Sequence, residues 1–174
     1  MDIVKAPDSR LRVQTKPVKK VTPELLKVAR EMIKLTKTFQ DPEGVGLAST
    51  QVGRVERFFV GKVGKGGEFI TCFNPKVLSV SKKTKVFFEG CLSIPNFWGE
   101  AQRPISILVE YTNKQGEKVK KRLFGSAAWI FQHEVDHLDG KLFMDHVLGQ
   151  KGKVFKVVGR DKAGSEIFEE VRLI

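Results

Sequence analysis

The 174-residue sequence has few cysteines and few histidines, only two Cys and three His, so it cannot be a disulfide-rich scaffold. It also has no internal repeat, no low-complexity stretch and no apolar run near the ~20 residues of a membrane-spanning helix. Its first residues include Asp2, Lys5 and Asp8 and lack the hydrophobic region of a secretory signal. We therefore expect residues 1–174 to form one domain, large enough to be a catalytic domain, that does not bind a membrane. We expect it in the cytoplasm, with an organelle as the alternative.

The charge of the chain is strongly positive, at +11 from 31 basic and 20 acidic residues. A field of this sign favours polyanions such as RNA, so contact with the ribosome is compatible with it. The lysines are scattered along the chain, as on a solvated surface, and no RNA- or DNA-binding motif accompanies them. A ribosomal partner is therefore one hypothesis, and DNA is not an expected partner.

The most informative segment is His133-Glu134-Val135-Asp136-His137, which places two imidazoles four positions apart and a carboxylate beside the first. In a helix of about 3.6 residues per turn, His133 and His137 lie on one face, and Glu134 points roughly 100° away. In this HExxH pattern the two His bind a metal that acidifies a water molecule, and the Glu accepts the proton. The alternative is a surface helix with a chance pair of histidines.

The residues around this pattern favour a helix. Gly125-Ser126 supplies a break and an N-cap, an apolar stretch follows, and Gly140 predicts the C-terminal stop. Trp129 and Ile130 lie one turn before the histidines on the same face, so we expect them to form a wall of the site.

A catalytic metal usually takes three protein ligands, so a third donor is needed. His146 is the remaining histidine, but it follows the predicted helix and is expected to be solvated or to cap a helix. Cys91 is the better candidate, since Gly90 allows close backbone approach, Pro95 is predicted to end the segment, and a thiolate binds iron or zinc strongly. The alternatives are a buried core cysteine or a Cys72–Cys91 disulfide, which the absence of a secretory signal disfavours.

A glycine-rich segment, residues 44–53, precedes both motifs and reads Gly-Val-Gly-Leu-Ala-Ser-Thr-Gln-Val-Gly. It has neither the Gly-Lys-Ser/Thr ending of a phosphate loop nor Rossmann spacing. Its glycines suggest backbone that approaches a ligand, with the Gln51 amide able to donate a hydrogen bond. An ordinary turn remains the alternative.

Taken together, the glycine-rich segment ending in Gln51, the segment Glu89-Gly90-Cys91-Leu92-Ser93 and the HExxH pattern resemble the peptide deformylase family in order and spacing. The resemblance covers roughly residues 5–147. It implies a metal-dependent hydrolase that removes the N-formyl group from the N-terminal formylmethionine of newly synthesised peptides and releases formate.

The resemblance also assigns a role to each motif residue. The metal ligands would be Cys91, His133 and His137. Glu134 would be the general base and then the proton donor, while the Gln51 side chain and the Leu92 backbone N–H would form an oxyanion hole. The substrate would contact a set of pocket residues, namely Val45, Gly46, Glu89, Gly90, Trp129 and Ile130, together with Leu92.

The metal itself is less determined than its ligands. Cys and His donors suit both iron and zinc, and the resemblance implies Fe2+ as the native ion, with Zn2+, Ni2+ or Co2+ able to replace it. The chain departs from the usual family pattern at three places: Ser49-Thr50 precedes Gln51 where Ala-Pro is usual, Phe88 replaces a residue that is often acidic, and Trp129 replaces an aliphatic residue. These departures concern the pocket and not the ligands or the base.

The predicted fold is α+β, with mixed or antiparallel sheets packed around the HExxH helix. Thr22 as N-cap and Pro23 at the first position predict an early amphipathic helix. Period-two patterns predict strands over residues 57–63, 68–73, 76–81, 85–88 and 105–111, the last with a returning strand through 123. The tail, residues 148–174, is predicted to form a β-hairpin from strands 154–158 and 167–173.

Two other function classes share part of this pattern. A zinc endopeptidase would share HExxH but normally takes its third ligand downstream, where this chain has no suitable motif, and Gln51 would have no role. A non-catalytic RNA-associated protein would explain the charge but not the three motifs. Substrate choice separates the first class, and metal content separates the second.

Overall fold

The computed structural model describes residues 1–172, and its strands form two antiparallel sheets. One sheet has five strands in the order β1-β2-β3-β6-β7, and the other has four in the order β4-β5-β8-β9. The strands are β1 (Gly46–Ala48), β2 (Phe58–Gly61), β3 (Ile70–Val80), β4 (Thr84–Cys91), β5 (Ile94–Pro104), β6 (Ser106–Thr112), β7 (Lys118–Phe124), β8 (Val154–Arg160) and β9 (Glu166–Val171). Three 3₁₀ turns cover Ser9–Arg12, Ser49–Val52 and Lys65–Gly67.

Within the described residues the fold also contains three α-helices: α1 (Pro23–Lys37), α2 (Gly125–Leu138) and α3 (Phe143–Gly149). The Thr22 hydroxyl accepts a hydrogen bond from the Leu25 N–H at 3.2 Å and caps α1, as predicted. α2 carries the HExxH pattern and packs against strands of both sheets. The α+β prediction, with sheets around this helix, an early helix and a C-terminal hairpin, is confirmed.

The sequence predicted the C-terminal end of α2 but not its N-terminal cap. Gly140 adopts a φ of 72°, and a Cβ there would lie 2.5 Å from the Arg12 carbonyl oxygen, so only glycine fits this C-terminal stop. The predicted Ser126 cap is wrong, because the helix begins at Gly125 and Phe124 occupies the N-cap position without a side-chain hydrogen bond.

Two predictions about strand boundaries are also wrong, and a third lies partly outside the described residues. The segments 68–73 and 76–81 form the single strand β3, whose pairing with β6 is irregular around Asn74, which has a φ of 48°. Pro95 does not end its segment but lies in β5, which the sequence did not predict. The final strand is β9, and Leu173, which was predicted to belong to it, lies outside the described residues.

Within residues 1–172, none of the helices has the length and the apolar character that a bilayer-spanning segment needs.

Candidate active site

Strand β4 and helix α2 bring three potential metal ligands together. Cys91 ends β4, while His133 and His137 lie one turn apart on α2. Their ligand atoms all lie within 4.8 Å of one another, and the Cys91 Sγ is 3.3 Å from the His137 Nε2. Both histidines are buried, and neither Cys72 nor Cys91 forms a disulfide. The three residues predicted from the motifs can therefore share one cation.

The protonation state of Cys91 favours metal binding. Burial by itself would raise the pKa of this thiol, but attraction to His137 and hydrogen bonds to both histidines outweigh burial. The pKa of Cys91 consequently lies well below its ordinary value. Since the thiolate is the form that binds metal, the cysteine is prepared for ligation.

A buried charge network orients His133 from behind. The His133 Nδ1 lies 2.9 Å from the Glu89 Oε2, which leaves the Nε2 directed to the ligand cluster. Arg103 donates to both carboxylate oxygens of Glu89, with 3.0 Å from Nη2 to Oε2, and its Nη1 donates to the Asp136 Oδ2 at 2.8 Å. The His146 Nε2 is also 2.8 Å from the Asp136 Oδ2. A carboxylate behind a ligating histidine fixes its ring and tautomer.

The network keeps its two acids ionised, although Glu89 is fully buried and the Asp136 side chain is only 17% exposed. Burial would raise the pKa of Glu89, but hydrogen bonds with His133 and Arg103 lower it to about 2. Burial likewise opposes ionisation of Asp136, whose pKa falls to about 2 because of His146 and Arg103. The Arg103 side chain is only 4% exposed, so this is an interior cation between two anions.

Glu134 lies beside the ligand cluster with one oxygen free. Its residue exposure is 3%, and its Oε2 has no hydrogen-bond partner within residues 1–172. A Cβ added to Gly46 would lie 2.3 Å from the Glu134 Oε1, so glycine is needed for the carboxylate to approach strand β1. Burial raises the pKa of Glu134 to about 7. A carboxyl group with this pKa can both accept and return a proton near neutral pH.

Gln51 is held in a fixed orientation at the edge of the cluster. Its Oε1 accepts from the Ala48 N–H at 2.9 Å, while its Nε2 is 3.1 Å from the Ser93 hydroxyl and 3.5 Å from the Cys91 Sγ. The Gln51 side-chain oxygen is thus bonded to the backbone, and the side-chain NH2 group faces the ligand cluster. Leu92 is the next residue after Cys91, and it lines the same pocket as Gln51 and Cys91.

One pocket opens onto these groups, and most of the sequence-predicted residues line it. From the predicted set, Val45, Gly46, Gln51, Gly90, Cys91, Leu92, Trp129, Ile130, His133 and Glu134 contribute to its wall. Trp129 stacks on Phe87, with ring centroids 5.7 Å apart and planes at 8°. The Glu89 side chain is different, because it is fully buried behind His133 and does not line the pocket.

Sequence reasoning missed several groups that the structure places at the site. Arg103, Asp136 and Ser93 were not assigned roles, and Trp98, which lines the pocket, was not considered. His146 was expected in a loop or at a cap, but it lies in α3 beside Asp136. The sequence around these residues does not indicate a role for them, because their contacts are with residues that are distant in the sequence.

Comparison with known proteins is consistent with this geometry. The sequence model of the family described as Polypeptide deformylase matches residues 1–153. A peptide deformylase of Thermotoga maritima is 44% identical over 140 residues, which is 80% of this chain and 82% of that protein. Another, from Rhodopseudomonas palustris, is 38% identical over 84% of this chain and 82% of that protein. The crystal structure of the Thermotoga maritima enzyme superposes with a TM-score of 0.76 at 43% identity, covering 83% of this chain and 95% of that one.

Proposed function

This chain belongs to the peptide deformylase family, and on that premise we propose that it hydrolyses the N-formyl group from the formylmethionine of newly synthesised peptides and uses Cys91, His133 and His137 to bind a metal. One observation carries the proposal. Three donor atoms lie within 4.8 Å of one another, next to a buried carboxylate oxygen that has no partner among the described residues, and Cys91, His133 and Glu134 all line one pocket.

The residues present fit a divalent cation. A low-pKa thiol and two imidazoles form the donor set, and the His133 ring is oriented by Glu89 through its other nitrogen. This donor set suits iron and zinc. We propose Fe2+ as the native ion, with Zn2+, Ni2+ or Co2+ able to replace it. The ion, when bound, would make a water molecule acidic enough to supply a nucleophile at neutral pH.

Glu134 would handle the proton in this reaction. Its unpartnered oxygen is available to accept a proton from the attacking water and to return it to the leaving amine. Amide hydrolysis needs both transfers, because the amine is a poor leaving group until it is protonated. The raised pKa of Glu134 fits a group that must act as base and then as acid.

Gln51 and Leu92 would stabilise the negative charge that develops on the formyl oxygen. The Gln51 amide is oriented by the Ala48 N–H, which holds its Nε2 at the edge of the ligand cluster. The Leu92 backbone N–H would be the second donor. The methionine side chain would occupy the pocket formed by Val45, Trp129 and Ile130, and backbone groups at Gly46, Glu89 and Gly90 would align the peptide.

The remaining parts of the proposal concern partners and place. We propose residues 1–174 as one catalytic domain that acts on nascent peptides in the cytoplasm, with an organelle as the alternative. The net charge of +11 supports contact with the ribosome, and this contact stays a prediction.

Formate release tests the proposed function. Protein prepared anaerobically with Fe2+ is incubated with formyl-Met-Ala-Ser, beside the Glu134→Gln variant and an internal peptide without a formyl group. Glu31→Gln is the matched control, because Glu31 is exposed on α1. We expect formate from the wild type and from the control, but not from Glu134→Gln. A folded, metal-loaded wild type that releases no formate, or that cleaves the internal peptide, would overturn the proposal.

A further inference from the structure

The C-terminal hairpin of β8 and β9 lies beyond residue 153, where the family match ends, but it contacts the wall of the catalytic pocket. Strand β8 pairs with β5 along Phe97–Gly99, with Trp98 opposite Phe155. Trp98 itself lines the pocket. The hairpin therefore adds two strands directly behind a pocket residue.

Trp98 is fixed by aromatic contacts, one of which comes from the end of the chain. It stacks on Phe88 with centroids 5.2 Å apart and planes at 15°, and Phe168 of β9 meets both rings edge-on, at 6.0 Å from Trp98 and 5.2 Å from Phe88. Phe155 of β8 also contacts Phe88, at 5.5 Å. A Cβ on Gly90 would be only 2.9 Å from the Trp98 ring, so glycine lets the indole lie against β4.

The same hairpin also contacts the segment that precedes two other pocket residues. The Arg160 Nη1 donates to the Asp41 carboxylate and also to the Gly164 carbonyl oxygen, the latter at 2.6 Å. Asp41 directly precedes Pro42 and Glu43, which line the pocket as Trp98 does. The hairpin thus contacts two segments of the chain that contribute to the pocket wall.

These two connections differ in strength. The Arg160–Asp41 pair is largely exposed, at 45% and 62% of the side chains, and such pairs contribute little. Edge-on aromatic contacts stabilise beyond the area that they bury. Phe168 is therefore the main contact through which the hairpin acts on the pocket.

We propose that the C-terminal hairpin positions Trp98, through Phe168, as the binding surface for an apolar side chain at the third residue of the formylated peptide. This inference rests on the proposed function. In an extended peptide the first and third side chains point to the same side. With the methionine side chain in the pocket, the third side chain would lie farther along the wall, to which Trp98 contributes. The indole face is apolar and favours aliphatic and aromatic partners.

Two peptides of identical composition, formyl-Met-Ala-Phe and formyl-Met-Phe-Ala, test this inference when formyl-Met-Ala-Ala is the reference. In the wild type we expect the KM for formyl-Met-Ala-Phe to be about threefold to tenfold below the other two, with similar kcat, since the contact is remote from the reacting carbon. Phe168→Ala should remove most of that advantage, and Phe168→Tyr should retain it because it keeps the ring. Arg160→Gln should have the smaller effect.

Ile167→Ala is the matched control, since Ile167 is a neighbour on β9 with similar exposure, 44% against 38% for Phe168, and lies outside the aromatic contacts. Deletion of the hairpin is not used, because Val154 and Val171 belong to a hydrophobic cluster. Formate release with equal KM values for the three peptides, or equal changes in Phe168→Ala and Ile167→Ala, would overturn this inference alone. No formate from any peptide would overturn the proposed function as well.

Discussion

Replacement of Arg103 by methionine is the sharpest test of how the fold supports the site. Arg103 is the cation that binds the Glu89 and Asp136 carboxylates, and its side chain is 4% exposed. Methionine is unbranched, flexible and uncharged, so Arg103→Met removes the charge while it can still fill the space of the aliphatic part of the arginine. Among the charged partners of these carboxylates, only His133 would then remain for Glu89 and only His146 for Asp136.

The expected magnitude follows from this burial. Loss of one partner from a buried ion pair costs about 3–5 kcal/mol, because the remaining charge is uncompensated. For a chain of this size, about 2–4 °C of Tm corresponds to each kcal/mol, so Arg103→Met should lower the Tm by roughly 6–20 °C. Glu89 would also hold the His133 ring less firmly. Loss of such support typically weakens metal binding by about 10–100-fold.

Two assays measure these effects separately. Thermal unfolding of the metal-free protein gives the Tm, and competition with a chromophoric chelator gives the Zn2+ affinity. Arg122→Met is the control, since Arg122 is exposed on β7, and it should change stability by less than about 0.5 kcal/mol. An Arg103→Met protein with the Tm and the Zn2+ affinity of this control would refute the view that the network supports the ligands.

Three further predictions follow from the same contacts. Gln51→Ala should lower kcat for formyl-Met-Ala-Ser by about 10²–10³ with little change in metal content, since one oxyanion donor is lost; a kcat near the wild-type value would contradict this role. Gly46→Ala should lower kcat by at least about tenfold, because the new Cβ would lie 2.3 Å from the Glu134 Oε1 and displace the base; steady-state kinetics at full metal loading would measure it. Because the pKa values of Glu89 and Asp136 are lowered to about 2 from 4.5 and 3.8, their stabilisation is complete above those ordinary values and is lost as the pH falls toward 2. Urea unfolding of the metal-free protein should show this loss, and Arg103→Met should show less of it.

The parts of the site that sequence could predict are those set by local geometry. The spacing of His133 and His137 fixes their relation once the segment is helical, and Glu134 follows from the same helix. The meeting of Cys91 with α2 is different, because it joins residues more than 40 positions apart. Residue chemistry made Cys91 a candidate for the third ligand, and the resemblance to a family supported its pairing with the two histidines.

The missed elements have physical reasons. Pro95 was predicted to end its segment, but β5 pairs with β8 only over Phe97–Gly99, so Pro95 lies near the strand start, where a missing N–H is tolerated. Strand β3 continues through Asn74 and Pro75 because the Asn74 side chain bonds the Val18 N–H and carbonyl at 2.7 Å each. Tertiary contacts of this kind outweigh local turn propensity.

Alternation along β4 explains why the network behind His133 and the aromatic wall were both missed. Successive side chains of a strand point to opposite faces. Phe87 stacks on Trp129, Glu89 contacts His133 and Cys91 contacts His137, so the odd positions face α2.

The even positions of β4 face the other way. Phe88 and the open surface of Gly90 receive Trp98, and Phe88 also meets the C-terminal hairpin through Phe168. The predicted strand ended at residue 88, three residues before Cys91, where β4 actually ends. A strand continued to Cys91 would have placed the Glu89 side chain on the same face as Cys91, behind the candidate metal ligands. The position of Phe88 on this strand also explains why it is aromatic in this chain. An acidic residue at position 88 would lie among aromatic rings and would leave Trp98 without its stacking partner.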